Sequence, residues 1–366
     1  MGDAITPFDC ISGASKKAGD IDFFPMGRQT YLAPLPLPTE VEPFCPYISD
    51  YNDIFLDFGG GKPNVYSYQI WLGGPFSYAC FSAFGFPLLL WLIGLSLGYT
   101  SAESLEFSLE YFIFAWKYSV LIWLGASVLC FYVWFEAHNL FTQVIPTRFN
   151  RQRREVCFMP EGVTEPLFVP WESLSAWVVQ SQGASQYGVT RQYGMGMGFE
   201  HEGGFAHVEF QCGALELAIA NWEAVRGYME YELNDLSALQ DPLELQAPGD
   251  PPHEGLHTFR NARAGLHRRI REKEVGWIYG FFWYVYHVMT LWTLPNHLVE
   301  WEIKRIAKVG RKALPQAMQD WSEPLPPEQW AKPSTELLRL SAKVKALIKR
   351  SPRKPITEVF AEVYRR

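Results

Sequence analysis

Two long uncharged stretches set the pattern of hydrophobic positions along this chain. From Phe76 to Tyr99 (FSYACFSAFGFPLLLWLIGLSLGY) no charged residue occurs, and as a helix the run can cross a hydrocarbon layer about 30 Å thick. A polar loop at 100–107 carries Glu103 and Glu106, and a second run begins near Tyr111 and is uncharged from Tyr118 to Phe135. The two predict a transmembrane hairpin in 67–145, with spans at about 76–99 and 111–135. Lys117 stands in the first turns of the second span, where its stem can snorkel. Tyr99, Tyr111, Trp116, Tyr132 and Trp134 fall near the span ends, where amphipathic aromatics belong. Gly85, Pro87, Gly94 and Gly98 suit a buried soluble helix as well, but such helices seldom run past about 18 residues without a polar face. The loop between the spans has only acids, whereas Arg148, Arg151, Arg153 and Arg154 follow the second span. The positive-inside bias therefore puts both ends of the hairpin in the cytoplasm.

After Pro146 the period changes to two. Residues 147–158 read as a strand, a basic turn and a returning strand, and Phe205 to Cys212 sets Ala206, Val208, Phe210 and Cys212 on one face. Leu215, Leu217 and Ile219 alternate in the same way, which predicts a hairpin closed at 212–214. Asn221 then caps a helix marked by Trp222, Val225, Met229 and Leu233. Antiparallel strands closed by one amphipathic helix outline a PH-like barrel over 146–237. Trp171, Trp177 and Trp222 read as its core rather than as a ligand cage. The run from Gly194 to Gly198 (GMGMG) lacks the spacing of a phosphate cradle and is expected to be a strand-connecting loop. Residues 1–66, rich in Pro and Gly, read as an irregular arm with one short strand pair.

Beyond a Pro/Gly linker at 238–255, a helix is expected to start with Asp250 as its cap. Its first turn would hold His253-Glu254-Gly255-Leu256-His257, a match to H-E-x-x-H. On a helix, His253 and His257 stand one turn apart and can hold zinc, with Glu254 as general base. The context argues against it: two prolines precede, Gly255 weakens the helix, and Arg263 stands where a third histidine would. Glu274 or Glu300 would have to serve as third ligand. Residues 256–312 form a basic amphipathic helix with Arg260, Arg263, Arg268, Arg269, Arg271 and Lys273, then a third apolar run at 276–295 that reads as a helix buried or interfacial rather than spanning. Arg268 and Arg269, with Arg148, Arg151, Arg153 and Arg154, are the candidates for contact with an anionic membrane surface. A basic helical tail occupies 313–366, in which Leu337, Leu340, Val344, Leu347 and Ile348 form an apolar stripe. No recognition motif accompanies its charge, so no nucleic-acid partner is expected.

The net charge of −7 thus hides an acidic front and a basic end, with 15 Lys/Arg against 8 Asp/Glu from Asn296 onward. The six cysteines show no CxxC pairing, and Cys80 and Cys130 lie inside the spans, which fits a reducing compartment. The N-terminus shows neither a secretory signal nor a myristoylation pattern. The fold class is an α+β membrane protein: a two-helix transmembrane hairpin, a PH-like antiparallel β domain with a C-terminal helix, and a helical tail.

Three boxes carry a likeness: Arg148 to Val156 (RFNRQRREV), Val169 to Leu174 (VPWESL) and Trp222 to Glu230 (WEAVRGYME). Over roughly residues 70–310 the chain resembles an uncharacterised family of proteobacterial proteins in which a membrane hairpin precedes a PH-like domain, with genes often near type VI secretion toxins. The resemblance implies a bacterial inner-membrane immunity protein, non-enzymatic, multi-pass, with its soluble domain cytoplasmic. Its partners would be a cognate protein toxin and the lipid bilayer; no catalytic residue and no cofactor come with it. Two alternatives stand beside it, a membrane-anchored zinc metallopeptidase and a membrane-inserting toxin effector.

Overall fold

The computed structural model of the protein describes residues 16–59, 63–141, 145–159, 165–185, 188–201, 204–234, 236, 239, 245–247, 249–251, 253–309 and 314–364. Two compact units share the chain: Met1–Gly61, Ile145–Gln240 and Ala313–Arg366 make one, Lys62–Val144 and Asp241–Lys312 the other. Among the described residues ten strands and four α-helices belong to the first unit, here the β-unit; the second is helical.

The strands are β1 (Ile21–Phe24), β2 (Gly27–Ala33), β3 (Ile48–Tyr51), β4 (Phe55–Phe58), β5 (Thr147–Asn150), β6 (Glu155–Phe158), β7 (Leu167–Pro170), β8 (Ser175–Ser185), β9 (Gly188–His201) and β10 (Gly204–Cys212). In chain order the helices are α1 (Val65–Ser96), α2 (Ser101–Phe141), α3 (Leu215–Met229), α4 (Leu256–Arg271), α5 (Trp277–Met289), α6 (Leu294–Val309), α7 (Gln316–Trp321), α8 (Thr335–Arg350) and α9 (Ile356–Tyr364). Two five-stranded antiparallel sheets result, ordered β1-β2-β8-β9-β10 and β3-β4-β5-β6-β7.

The stretch 1–66, expected to be irregular, supplies four of these strands. β2 pairs with β8 and β4 with β5, so each sheet joins sequence-distant segments. Short strands such as β3 and β4 carry too little local pattern to announce themselves; long-range pairing makes them. The C-terminal segment is also structural. Leu337, Leu340 and Val344 of α8, and Val359, Phe360 and Val363 of α9, are buried in the same core as Leu32, Phe58, Trp171 and Trp222. The stripe read from the sequence is the face that packs.

Two local expectations fail for instructive reasons. Leu215, Leu217 and Ile219 begin α3 rather than a strand. Ala218, Trp222, Val225 and Met229 are all fully buried at helical spacing, and that face outweighs a three-residue alternation. The glycines at 194–198 lie inside β9, not in a loop. There Gly196 passes beneath the Trp177 indole, and a Cβ on it would come within 2.4 Å of the ring. The glycines make room for a fully buried tryptophan. Gly196→Ala is accordingly expected to cost about 1–3 kcal/mol by overpacking. Gly194→Ala, whose nearest neighbour would be the Phe210 carbonyl at 3.3 Å, should cost less, and thermal melts of the two variants compare them.

The basic turn between β5 and β6 holds the β-unit together. Arg148 makes a bidentate pair with Asp57 (2.6 and 2.8 Å) and lies 3.7 Å over the Phe55 ring. Arg151 binds the Asp53 carboxylate at 2.9 Å and sits between the Tyr228 and Tyr231 rings. Arg154, left-handed at φ 52°, pairs with Glu230 and Glu172, while Glu230 also accepts from the Trp171 indole. Arg153 donates to the Trp321 carbonyl. Arg148, Arg151 and Arg154 are buried, so these three guanidiniums are interior ties and not the membrane-surface cations suggested by their position after a span. The first likeness box, with Trp171 and Glu172 of the second and Tyr228 and Glu230 of the third, is one interlocked cluster.

Candidate functional site

The helical unit is organised by α1 and α2, which run antiparallel along a seam of small residues. Gly94 abuts Ser104 so closely that a Cβ would lie 2.5 Å from its hydroxyl. Ser108 donates to the Pro87 carbonyl, and Ser119 meets Ser82 at 3.0 Å. Phe76 on Trp123, Phe84 on Phe112 and Phe86 on Tyr111 flank this seam, while Leu88, Leu92, Phe114, Leu121, Val128 and Phe131 are exposed. Only 11% and 6% of the most apolar stretches of α1 and α2 are buried. A soluble core helix would bury its apolar face; these bury a narrow seam and leave the rest uncovered.

At the open end of the hairpin, α1 is fastened to α4, α5 and α6. Glu254 accepts from the Val65 N–H at 2.5 Å, Glu300 from the Leu256 N–H at 2.8 Å, and Ser77 donates to the Met289 carbonyl. These carboxylates satisfy backbone donors that helix starts leave open. The H-E-x-x-H match therefore has a different role from the one its spacing suggests. Helix α4 begins at Leu256 with Gly255 as cap, so His253 and Glu254 precede it and the motif does not lie on one helical face. The His253 and His257 rings stand 5.9 Å apart, and no group of three metal-ligating side chains occurs among the described residues. Glu254 accepts the first backbone N–H of α1, beside the Asn64 cap. Asp250, the expected cap, accepts from the Ala247 N–H and the Asn261 amide, which hold its carboxyl below the usual range.

Helix α5 has 13 residues, a rise of about 20 Å, too short to span. The third apolar run ends there in two consecutive left-handed residues, Leu291 (φ 66°) and Trp292 (φ 55°). Stacking of Trp292 on Tyr284 and against Phe259 holds this costly turn in place. Between α1, α4 and α5 lies a cleft of about 550 Å³, walled by Tyr66, Glu254, Asn261, Trp283 and His287, with Arg268 and Arg269 on its lining. It brings together the motif glutamate and the two arginines singled out on the basic helix. Both arginines are exposed, and Arg269 pairs with Glu274 at 3.4 Å and lies over Tyr279.

His287 forms part of the cleft wall. Its ring stacks 3.7 Å from Trp283 and meets Phe259 edge-on, with Nδ1 2.8 Å from the Trp283 carbonyl. Burial pushes its pKa below 6.5, against the smaller opposing pull of that carbonyl. The unfolded chain therefore takes up the proton first as pH falls below about 6.5, and the stabilisation is lost down to the depressed folded value. Thermal melts of the full chain in detergent should shift downward from pH 7 to 5, and His287→Leu should flatten part of that slope. An unchanged slope would reject the assignment.

Comparison with protein-family models, curated proteins and solved structures finds no match to this chain.

Proposed function

We propose that this protein is a non-enzymatic, membrane-anchored binding protein, with α1 and α2 as a bilayer hairpin and the β-unit as a PH-like binding module on the cytoplasmic side of a bacterial inner membrane. The observation that carries this reading is the outward apolar surface of two antiparallel helical stretches of 32 and 36 residues, whose most apolar parts are only 11% and 6% buried. Water penalises such a surface, at about 25 cal/mol per Å² of apolar area, and lipid does not. The PH-like reading is supported by antiparallel strands β5–β10 followed directly by α3.

The partner follows from the likeness carried by the three boxes: a cognate protein toxin of type VI secretion, with this chain as its immunity protein. The buried arginine cluster gives those boxes a common structural purpose, and leaves the exposed faces of the β-unit to vary with the partner. We favour binding over a zinc peptidase because helix α4 starts at Leu256, after His253 and Glu254.

Expression of the full chain in a naive host should be harmless and should rescue growth when the toxin encoded beside it is induced. Death of the host would favour the toxin reading. Failure to protect against every neighbouring toxin would end the immunity assignment, while sodium carbonate extraction tests the anchor separately.

A further inference from the structure

The helical unit contains a second groove, of about 510 Å³, at the open end of the hairpin. Its walls are Trp71 and Leu72 of α1, Phe131 and Trp134 of α2, and Leu298 and Trp301 of α6. Trp71 and Leu72 sit in a widened π-type turn, Gln69–Gly73, a local distortion that recurs at functional sites. Two strongly polar side chains reach this lining. The Tyr68 hydroxyl is committed, donating to Glu302 and accepting from the Trp134 indole. Arg305 is the other: its guanidinium carbon lies 5.3 Å from the Trp301 ring centroid, and no carboxylate pairs with it among the described residues. Lys304 and Lys308, both exposed, extend the positive charge along α6.

We propose that this groove holds one anionic phospholipid, its phosphate on Arg305 and an acyl chain along Trp71, Phe131, Trp134 and Leu298. The inference rests on the membrane-anchor reading above. An apolar trough that ends in one half-buried cation is complementary to a chain that ends in one phosphate. The level is right as well: Phe131 and Trp134 close the uncharged run of α2 and Trp71 precedes that of α1, where headgroups meet hydrocarbon. Cation–π contact with Trp301 holds the guanidinium at the lip of the groove.

Native mass spectrometry of the full chain in neutral detergent, titrated with palmitoyl-oleoyl phosphatidylglycerol or phosphatidylcholine, tests this. One phosphatidylglycerol should be retained about fivefold over phosphatidylcholine, the discrimination that about 1 kcal/mol per cation supplies. Arg305→Gln should bring the ratio near one, Arg305→Lys should keep part of it, and Arg263→Gln should leave it unchanged. Leu298→Trp, which fills the groove, should abolish retention of both lipids, and inorganic phosphate should not compete. Equal retention of the two lipids by the wild type, an unaltered preference in Arg305→Gln, or a lipid-free dimer would each overturn the proposal. Carbonate extraction separates the two levels: a chain that stays in the membrane without lipid preference loses the groove but keeps the anchor, and a chain released to the supernatant loses both.

Discussion

Asp57→Ala should destabilise the β-unit by about 3–5 kcal/mol, because it strands the Arg148 guanidinium in a site with almost no access to water. Both side chains of this pair are about 5% exposed, and the geometry is bidentate. Arg148 keeps one other hydrogen bond, to the Ser322 hydroxyl at 2.9 Å, and its contact with Phe55, neither of which neutralises a charge. The double variant Asp57→Ala/Arg148→Met should recover much of the loss, since an apolar side chain of similar reach tolerates the site where an unpaired charge does not. The pair Lys345–Glu232 gives the contrast. Its lysine is 51% exposed, and Lys345→Ala should cost no more than about 1 kcal/mol. Denaturant unfolding of the full chain, read by near-ultraviolet circular dichroism, measures all three variants against the wild type. A loss under about 1 kcal/mol for Asp57→Ala would mean that the guanidinium reaches water and that Arg148 is not an interior tie.

Leu121→Arg and Leu338→Arg should part company, although both leucines are more than half exposed in the structure, 67% and 56%. Leu338 lies on α8 of the β-unit, and a charge on such a surface should change stability by no more than about 0.5 kcal/mol. Leu121 lies near the middle of α2. If its outward face meets lipid, arginine there should cost about 2.5–3.5 kcal/mol of insertion free energy. Membrane-fraction yield and carbonate resistance read the difference. Equal tolerance of the two substitutions would mean that α2 stands in water, and both the anchor and the phospholipid groove would go with it.

The contrast between these two experiments mirrors what could and could not be read from residue order. The hairpin was legible because its signal is local and long: two runs of 18 or more consecutive residues without charge need no knowledge of the rest of the chain. The turn between β5 and β6 was legible for the same reason. The role of its arginines was not, since Asp57 and Glu230 lie 91 and 76 positions from their partners Arg148 and Arg154. Charge next to a span looked like a topology signal; in the fold three of the four cations face inward. His253, Glu254 and His257 failed in the other direction. Their spacing has meaning only on a continuous helix, and a helix that starts at Leu256 puts two of the three outside it. The groove beside Arg305 gave no sequence signal, because its walls come from three helices and its cation differs from any surface arginine only in what surrounds it.

By itself, residue order determined the apolar rods, the helical stripe of α8, the strand-turn-strand at 147–158 and the burial of Trp171, Trp177 and Trp222. Each depends on hydrophobic periodicity within a window, which a backbone of known pitch converts directly into a face. Tertiary structure alone decided that residues 16–59 and 314–364 complete the β-unit, that the glycines of β9 make room for an indole, and that a charged turn belongs to an interior. Those outcomes turn on pairing and desolvation between distant segments, whose free energies do not exist until the chain has brought the partners together.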